Sequence, residues 1–200
     1  MGLGLATALF AATAKADTPL RLEALGEFPV NQAIVRTTSF GKLLGDASYF
    51  AFVDFYGRTS DNFYGEAAVA KAFYKDLGLK LEWNGGSSMD DLFRFGPEYI
   101  PQLHEKLFVD LKLYPVTLGT DGAFKKTGQF SVFGRFDFPA AIYLENWTDV
   151  NLDYVTKKIT VASETTLGKT IVDKLSLEAQ VAYNVNVAGF QGRAGLRYDF

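Results

Sequence analysis

At 200 residues, with 20 Lys and Arg against 23 Asp and Glu and a formal net charge of −3, the chain is long enough for one domain and lacks the basic excess of a phosphate-backbone binder. It has no cysteine, which excludes a disulfide framework, a thiolate metal site and a cysteine nucleophile. Phe and Tyr number 18 and 10 while mean hydropathy is only +0.03, the combination expected of strands that are apolar on one side.

The chain opens on MGLGLATALFAATAKA, residues 1–16, which is apolar and ends in Ala14-Lys15-Ala16. This predicts a secretory signal peptide with an A-x-A cleavage site, a short buried helix being the alternative. No Lys or Arg precedes Lys15, as a start placed too far downstream would explain. Cleavage after Ala16 would yield an exported domain of residues 17–200. No later run approaches the roughly 18 apolar residues that a membrane-spanning helix needs.

Side chains on a strand alternate between two faces, so apolar and polar residues in strict alternation mark a half-buried strand. PLRLEALGE and QAIVRTTSF are the least regular candidates, followed by ASYFAFVDFYG and NFYGEAAVAKAFYK with Asp54, Glu66 and Lys71 as polar members. Glu66 and Lys71 have opposite parity, so a β-bulge or a change of face is expected between them. From Leu77 onward the pattern is regular. Leu79, Leu81 and Trp83 oppose Lys80 and Glu82, and NGGSSMDD reads as a loop. Phe93 and Phe95 oppose Arg94 and Glu98; Leu107 to Leu113 oppose Asp110, Lys112 and Tyr114. VTLGTDGAFKK reads as the longest loop. Phe130, Val132, Phe136 and Phe138 then oppose Gln129, Ser131, Arg135 and Asp137. Ile142 and Leu144 oppose Tyr143 and Glu145, Ile159 and Val161 oppose Thr160 and Glu164, and Leu175 to Tyr183 oppose Ser176, Glu178 and Gln180. In the last segment, FQGRAGLRYDF, Leu196, Tyr198 and Phe200 oppose Arg193, Arg197 and Asp199. The count is about twelve strands, or ten without the least regular pair. Connections alternate in character: GKLLGD, KDLG, PQLHE, DFPA and TLGKTIVDK are mostly tight, while GRTSDN, NGGSSMDD and VTLGTDGAFKK are longer. Short periplasmic turns and longer outer loops are expected of an outer-membrane barrel.

A soluble barrel turns its apolar face inward, where space is limited. Here that face carries Trp83, Phe93, Phe95, Tyr99, Phe130, Phe136, Phe138, Phe190, Tyr198 and Phe200, too much bulk for such an interior, with many rings near strand ends like the aromatic girdles of membrane barrels. The expected fold is therefore an all-β, antiparallel transmembrane β-barrel in the outer membrane of a Gram-negative bacterium, its apolar face on lipid. The inward, pore-lining set is then Asp54, Glu66, Lys80, Glu82, Arg94, Glu98, Asp110, Lys112, Arg135, Asp137, Glu145, Glu178, Arg193 and Arg197, together with Lys158, Glu164 and Asp199. Eight strands enclose only side chains and sixteen leave a channel. Ten or twelve allows either a narrow channel selecting a small polar solute or a bore closed by salt bridges. The terminal Phe200 resembles the C-terminal aromatic signature by which the barrel assembly machinery recognises outer-membrane proteins.

At DFYG, EWNGG, FGPEY and LFVDLKLYP the chain resembles the nucleoside-specific channel-forming Tsx family and its Tsx-like relatives. That resemblance implies a monomeric twelve-stranded barrel whose aromatic and ionisable lining passes nucleosides and deoxynucleosides. It carries over no ligand contact residue by residue. Catalysis is not expected: the single histidine, His104 in PQLHEKL, reads as a solvated turn residue, and Glu82 with Glu98 as ordinary lumen acids. No phosphate-cradling loop, zinc spacing or EF-hand is present, so neither cofactor nor metal is expected. The alternative to a channel is a non-conducting structural or adhesion barrel acting through its outer loops.

Overall fold

The computed structural model describes residues 19–29, 31–43, 47–57, 62–87, 89–184 and 189–200; the leader expected at 1–16 lies outside them. The described residues form fourteen strand segments: β1 (Leu20–Phe28), β2 (Gln32–Lys42), β3 (Ala47–Tyr56), β4 (Phe63–Tyr74), β5 (Leu77–Gly86), β6 (Met89–Tyr99), β7 (Leu107–Tyr114), β8 (Val116–Gly119), β9 (Phe124–Lys125), β10 (Thr127–Phe138), β11 (Ile142–Asp153), β12 (Ile159–Val172), β13 (Leu175–Asn184) and β14 (Gly189–Asp199). Each pairs antiparallel with its neighbours, and β1 pairs with β14 from Arg21↔Asp199 to Phe28↔Gly192, which closes the sheet. β7 with β8, and β9 with β10, each make one barrel strand, so the segments build a closed antiparallel barrel of twelve strands. Closure leaves no open edge for another chain to extend.

The break between β7 and β8 falls at Pro115, which has no N–H to give the ladder. β6 runs past it with a one-residue change of register, Glu98↔Lys112 on one side and Phe95↔Val116 on the other. A glycine is needed opposite: a Cβ on Gly96 would lie 1.8 Å from the Leu113 carbonyl oxygen. The proline thus interrupts this strand without ending it, and VTLGTDGAFKK is not the long loop its composition suggests. β8 and β9 pair through Thr117↔Lys125 and Leu118↔Phe124, leaving residues 120–123 as the turn. There the Ala123 N–H donated to Asp121, with Lys125 beside it, holds the Asp121 carboxyl below its usual range. NGGSSMDD is likewise mostly strand, because β5 continues to Gly86 and β6 resumes at Met89.

The bulge expected between Glu66 and Lys71 is absent. β4 keeps one alternation against both neighbours, with Glu66 opposite Phe52 and Asn84, and the register shifts only later, between Ala72 and Tyr74. Glu66 is buried while Lys71 is exposed on the other face near the strand end, where its long stem can carry the ammonium to the interface. Lys158 departs from the inward set as well: it lies in the exposed connection before β12.

Burial is inverted relative to a water-soluble protein. Glu23, Asp54, Glu66, Glu178 and Arg197 are all under 5 % exposed, whereas Leu81, Leu113, Leu167, Leu177 and Val181 are about half exposed, spread around the barrel. Only a bilayer solvates such an exterior without cost. Aromatic pairs flank the apolar band: Tyr198–Phe200 and Phe136–Phe138 at the end where the described termini meet, and Tyr183–Phe190 at the other. Trp83 lies on the outer face as expected but is only 3 % exposed, because it packs over the small side chains of Ala51 and Ala67 among Val53, Phe55, Phe63 and Phe93.

The closing seam depends on Gly195, opposite Leu25 of β1, where a Cβ would lie 2.0 Å from the Ala24 carbonyl oxygen. Gly195→Ala is expected to destabilise the barrel by about 2 kcal/mol or more, because backbone must move. Gly192→Ala, with nothing within 4 Å of the added carbon, is the neutral control. Urea unfolding in detergent micelles measures both, and equal midpoints would refute the seam argument.

Candidate functional site: a charged and aromatic bore

Alternation places Arg21, Glu23, Leu25 and Glu27 of β1 on the inner face, opposite Thr38, Arg36, Ile34 and Gln32 of β2. The same parity carries through the sheet: Arg36 stands opposite Asp54, and Arg135 opposite Glu145. Contacts between strands that are not neighbours identify this face as the interior. Arg36 on β2 reaches Glu164 on β12, four strands away, with Nη1 donating at 2.6 Å and Nη2 at 3.2 Å. Arg21 on β1 lies 3.5 Å from Glu145 on β11, also four strands away.

Ion pairs fill three parts of this interior. Near the end where the termini meet, Glu145 accepts from Arg135 at 2.6 Å, Arg197 at 3.2 Å and Arg21 at 3.5 Å. The ring of Tyr143 takes the guanidinium groups of Arg135 and Arg197 at 4.5 and 4.9 Å, while its hydroxyl donates to Glu178 at 2.7 Å. At mid-height Arg36 makes a two-pronged pair with Asp54, at 2.7 and 2.9 Å, besides its contact with Glu164. Arg193 joins Glu164 at 2.6 Å and Glu27 at 2.7 Å. On the facing wall Lys80 donates to Glu98 at 2.6 Å, Lys112 lies 3.3 Å from Asp110, and Glu82 accepts from Arg94 at 3.2 Å and from Tyr114 at 2.7 Å. Glu66 accepts the Tyr64 hydroxyl at 2.5 Å. Asp137 and Asp199 sit at the mouth, half exposed, against Arg135 and Arg197. Charge-assisted pairs of this kind hold long side chains in fixed positions and so set the shape of the bore.

Aromatic side chains meet across the bore. Phe52 on β3 and Trp147 on β11 stand six strands apart, halfway round the barrel, yet their ring centroids are 5.4 Å apart, edge to face. Trp147 is held by its indole N–H, which donates to Ser131 at 3.1 Å and to Asp149 at 3.0 Å. The Arg36 guanidinium covers the Phe52 ring at 5.3 Å, and Lys112 lies 6.0 Å from that of Trp147. Three cavities lie in series along the bore. One of about 680 Å³ reaches the far mouth and shares Arg36, Phe52, Trp147 and Glu164 with a central chamber of about 440 Å³. The central chamber in turn shares Ser48, Ala70, Glu98, Ile100 and Phe108 with a vestibule of about 700 Å³ at the end of the termini. All three volumes fall in the range of small-molecule sites, about 300 to 1,000 Å³.

Several key residues are missing from the sequence-derived inward set: Arg21, Glu23, Glu27 and Arg36 on the first two strands, and Phe52, Trp147 and Asp149. The signal for the first group is the plain alternation of LRLEALGE. For Trp147 and Asp149 it is that their parity continues from Glu145, since β11 runs on to Asp153. His104 lies exposed in the turn before β7, its Nδ1 accepting the Lys106 N–H at 3.1 Å. Among the described residues no group of three or more His, Asp or Glu side chains is placed to hold a metal ion.

A closed antiparallel barrel, apolar outside and charged within, defines an outer-membrane β-barrel of Gram-negative bacteria with a porin fold. The chain is similar in structure to the KdgM porin in complex with disordered oligogalacturonate, with a TM-score of 0.61 at 11 % identity over 91 % of this chain and 99 % of that one. It is similar to a second structure of the KdgM porin at a TM-score of 0.60 and 10 % identity, over the same shares of each chain. No protein-family model matches the chain, and no curated protein matches its sequence.

Proposed function

We propose that this protein is a diffusion channel of the outer membrane for small polar solutes. The observation that carries the reading is the file of three cavities from one mouth to the other, interrupted only by side chains. Rotation of Phe52 or Trp147 would join the central chamber to the far one without moving a strand. Within that class a nucleoside-like solute suits the constriction. Its base would stack on Phe52 and Trp147, and its hydroxyls and N–H groups would meet the carboxylates around them. Oligogalacturonate, named with the KdgM porin, is a chain of carboxylates and fits this lining poorly, because the inner Arg and Lys side chains already serve acids of the barrel itself. The shorter turns at the end of the termini would face the periplasm. Phe200, half exposed beside Tyr198, would be the residue read by the assembly machinery, and the barrel would function as a monomer.

Single-channel recording on the refolded protein in a planar bilayer, with and without added nucleosides, tests this. Small conductance steps that nucleosides block, and sugars of similar size do not, are expected. Equal block by both would remove the nucleoside assignment. The contact between Phe52 and Trp147 favours one second reading, a barrel closed at rest that acts through its outer turns. A silent but fully folded protein would support that reading.

A further inference from the structure

Six buried side-chain atoms among the described residues have no hydrogen-bond partner within the protein: Glu23 Oε2, Asn84 Oδ1, Asp110 Oδ1, Gln129 Oε1, Glu178 Oε2 and Gln180 Oε1. All six are acceptors, and among the described residues no side-chain donor closed to solvent is left over. Three are carboxylate oxygens, for which the orientation of an amide plays no part. Glu23, Asp110 and Gln180 line the central chamber, each at least nine-tenths buried. The cations around that chamber are already engaged. Lys80 is held by Glu98 at 2.6 Å, Lys112 lies 3.3 Å from the other oxygen of Asp110, and Arg36 is shared by Asp54 and Glu164. Glu23 Oε2 lies 3.7 Å from Arg36 Nε, beyond hydrogen-bonding distance.

A buried acceptor without a donor is unfavourable, and more so when it is charged. As the side chains stand these oxygens are closed even to water, so a solute toward which they turn must bring donors of its own. Resting on the channel reading above, we infer that the central chamber selects small cations that carry N–H donors, so that the bore passes cations in preference to anions. An ammonium group supplies both positive charge and N–H donors to Glu23, Asp110 and Gln180. A carboxylate entering the same chamber meets these acceptors, while the Arg and Lys side chains that line it already serve acids of the barrel.

The test is the reversal potential of the refolded full chain in a planar bilayer under a KCl gradient. It is then repeated with ethanolammonium chloride and with potassium galacturonate. Potassium is expected to permeate over chloride by about fivefold, the factor one unit charge gives at contact distance in water. Ethanolammonium should permeate and galacturonate should not. Glu23→Gln and Asp110→Asn, each read separately, should move the ratio towards unity. A wild-type protein that conducts with chloride equal to or ahead of potassium would overturn the inference and leave the channel reading standing. Unchanged ratios in both variants would also overturn it, by removing the central chamber as the selecting element. Absence of conductance from folded wild type and from folded Trp147→Ala would reject the channel itself, and the selectivity with it.

Discussion

Replacing Trp147 by alanine is expected to raise the unit conductance of the refolded protein by on the order of threefold, since constrictions of apolar side chains are what close narrow pores. The indole bridges the bore because β11 and β3 face each other across it, and the 5.4 Å between the Trp147 and Phe52 centroids leaves no path for an ion between the rings. Removing either ring opens the passage between the 440 Å³ and 680 Å³ chambers. Phe52→Ala should act alike, and the double variant should add little to either single one, because one gap suffices. Trp147→Phe separates this from hydrogen bonding: it keeps a ring in place but loses the donations to Ser131 and Asp149. Near-wild-type conductance is expected of it. A Trp147→Ala protein that runs as a folded barrel with wild-type conductance would place the barrier elsewhere.

Glu164→Gln should produce the largest loss of stability among the inner charges. Glu164 joins Arg36 and Arg193, at 2.6 Å each, and so ties β12 to β14 and, across the seam between β1 and β14, to β2. Removing one member of a buried pair leaves the other charge uncompensated, a change of about 3 to 5 kcal/mol in protein interiors. Each arginine keeps another acid, Asp54 for Arg36 and Glu27 for Arg193, and the bore is partly hydrated. About 2 kcal/mol is therefore the expected loss, below what a fully uncompensated buried charge gives. Urea titration of the folded fraction in lipid or micelles reads it directly. Adding Arg193→Gln should deepen the loss, because buried Glu27 then loses its cation as well. If the single variant unfolded at the wild-type midpoint, the ion network would be shaping the bore without holding the barrel together.

Much of the barrel was legible in the residues because strand alternation is a local property. LSLEAQVAYN and FQGRAGLRYDF each separate a lipid face from a charged face within ten or eleven positions, with no knowledge of neighbours. From that came the closed all-β class, the inward direction of most charges and the placement of Phe200 on the outer face. Where strands were misread, a local feature had two meanings. Pro115 and the glycines of NGGSSMDD are turn signals, yet here they lie within or beside strands that continue past them, because the ladder on the other side holds. Lys71 looked like evidence of a bulge because parity alone cannot distinguish an inward lysine from an outward one at a strand end.

The charges of the interior and the outer apolar face were determined by the sequence itself; which of those charges meet, and where the bore narrows, only the closed tertiary structure decided. Arg36 and Glu164 are 128 residues apart, and nothing local to either segment pairs them. Phe52 and Trp147 meet only because closing a sheet of twelve strands brings its third and ninth strands face to face at a distance that two aromatic rings can span. The physical reason is one of range. Alternation is written along each strand by the pleat of its own backbone, whereas contacts across the bore depend on strand number, stagger and closure, which belong to the whole sheet.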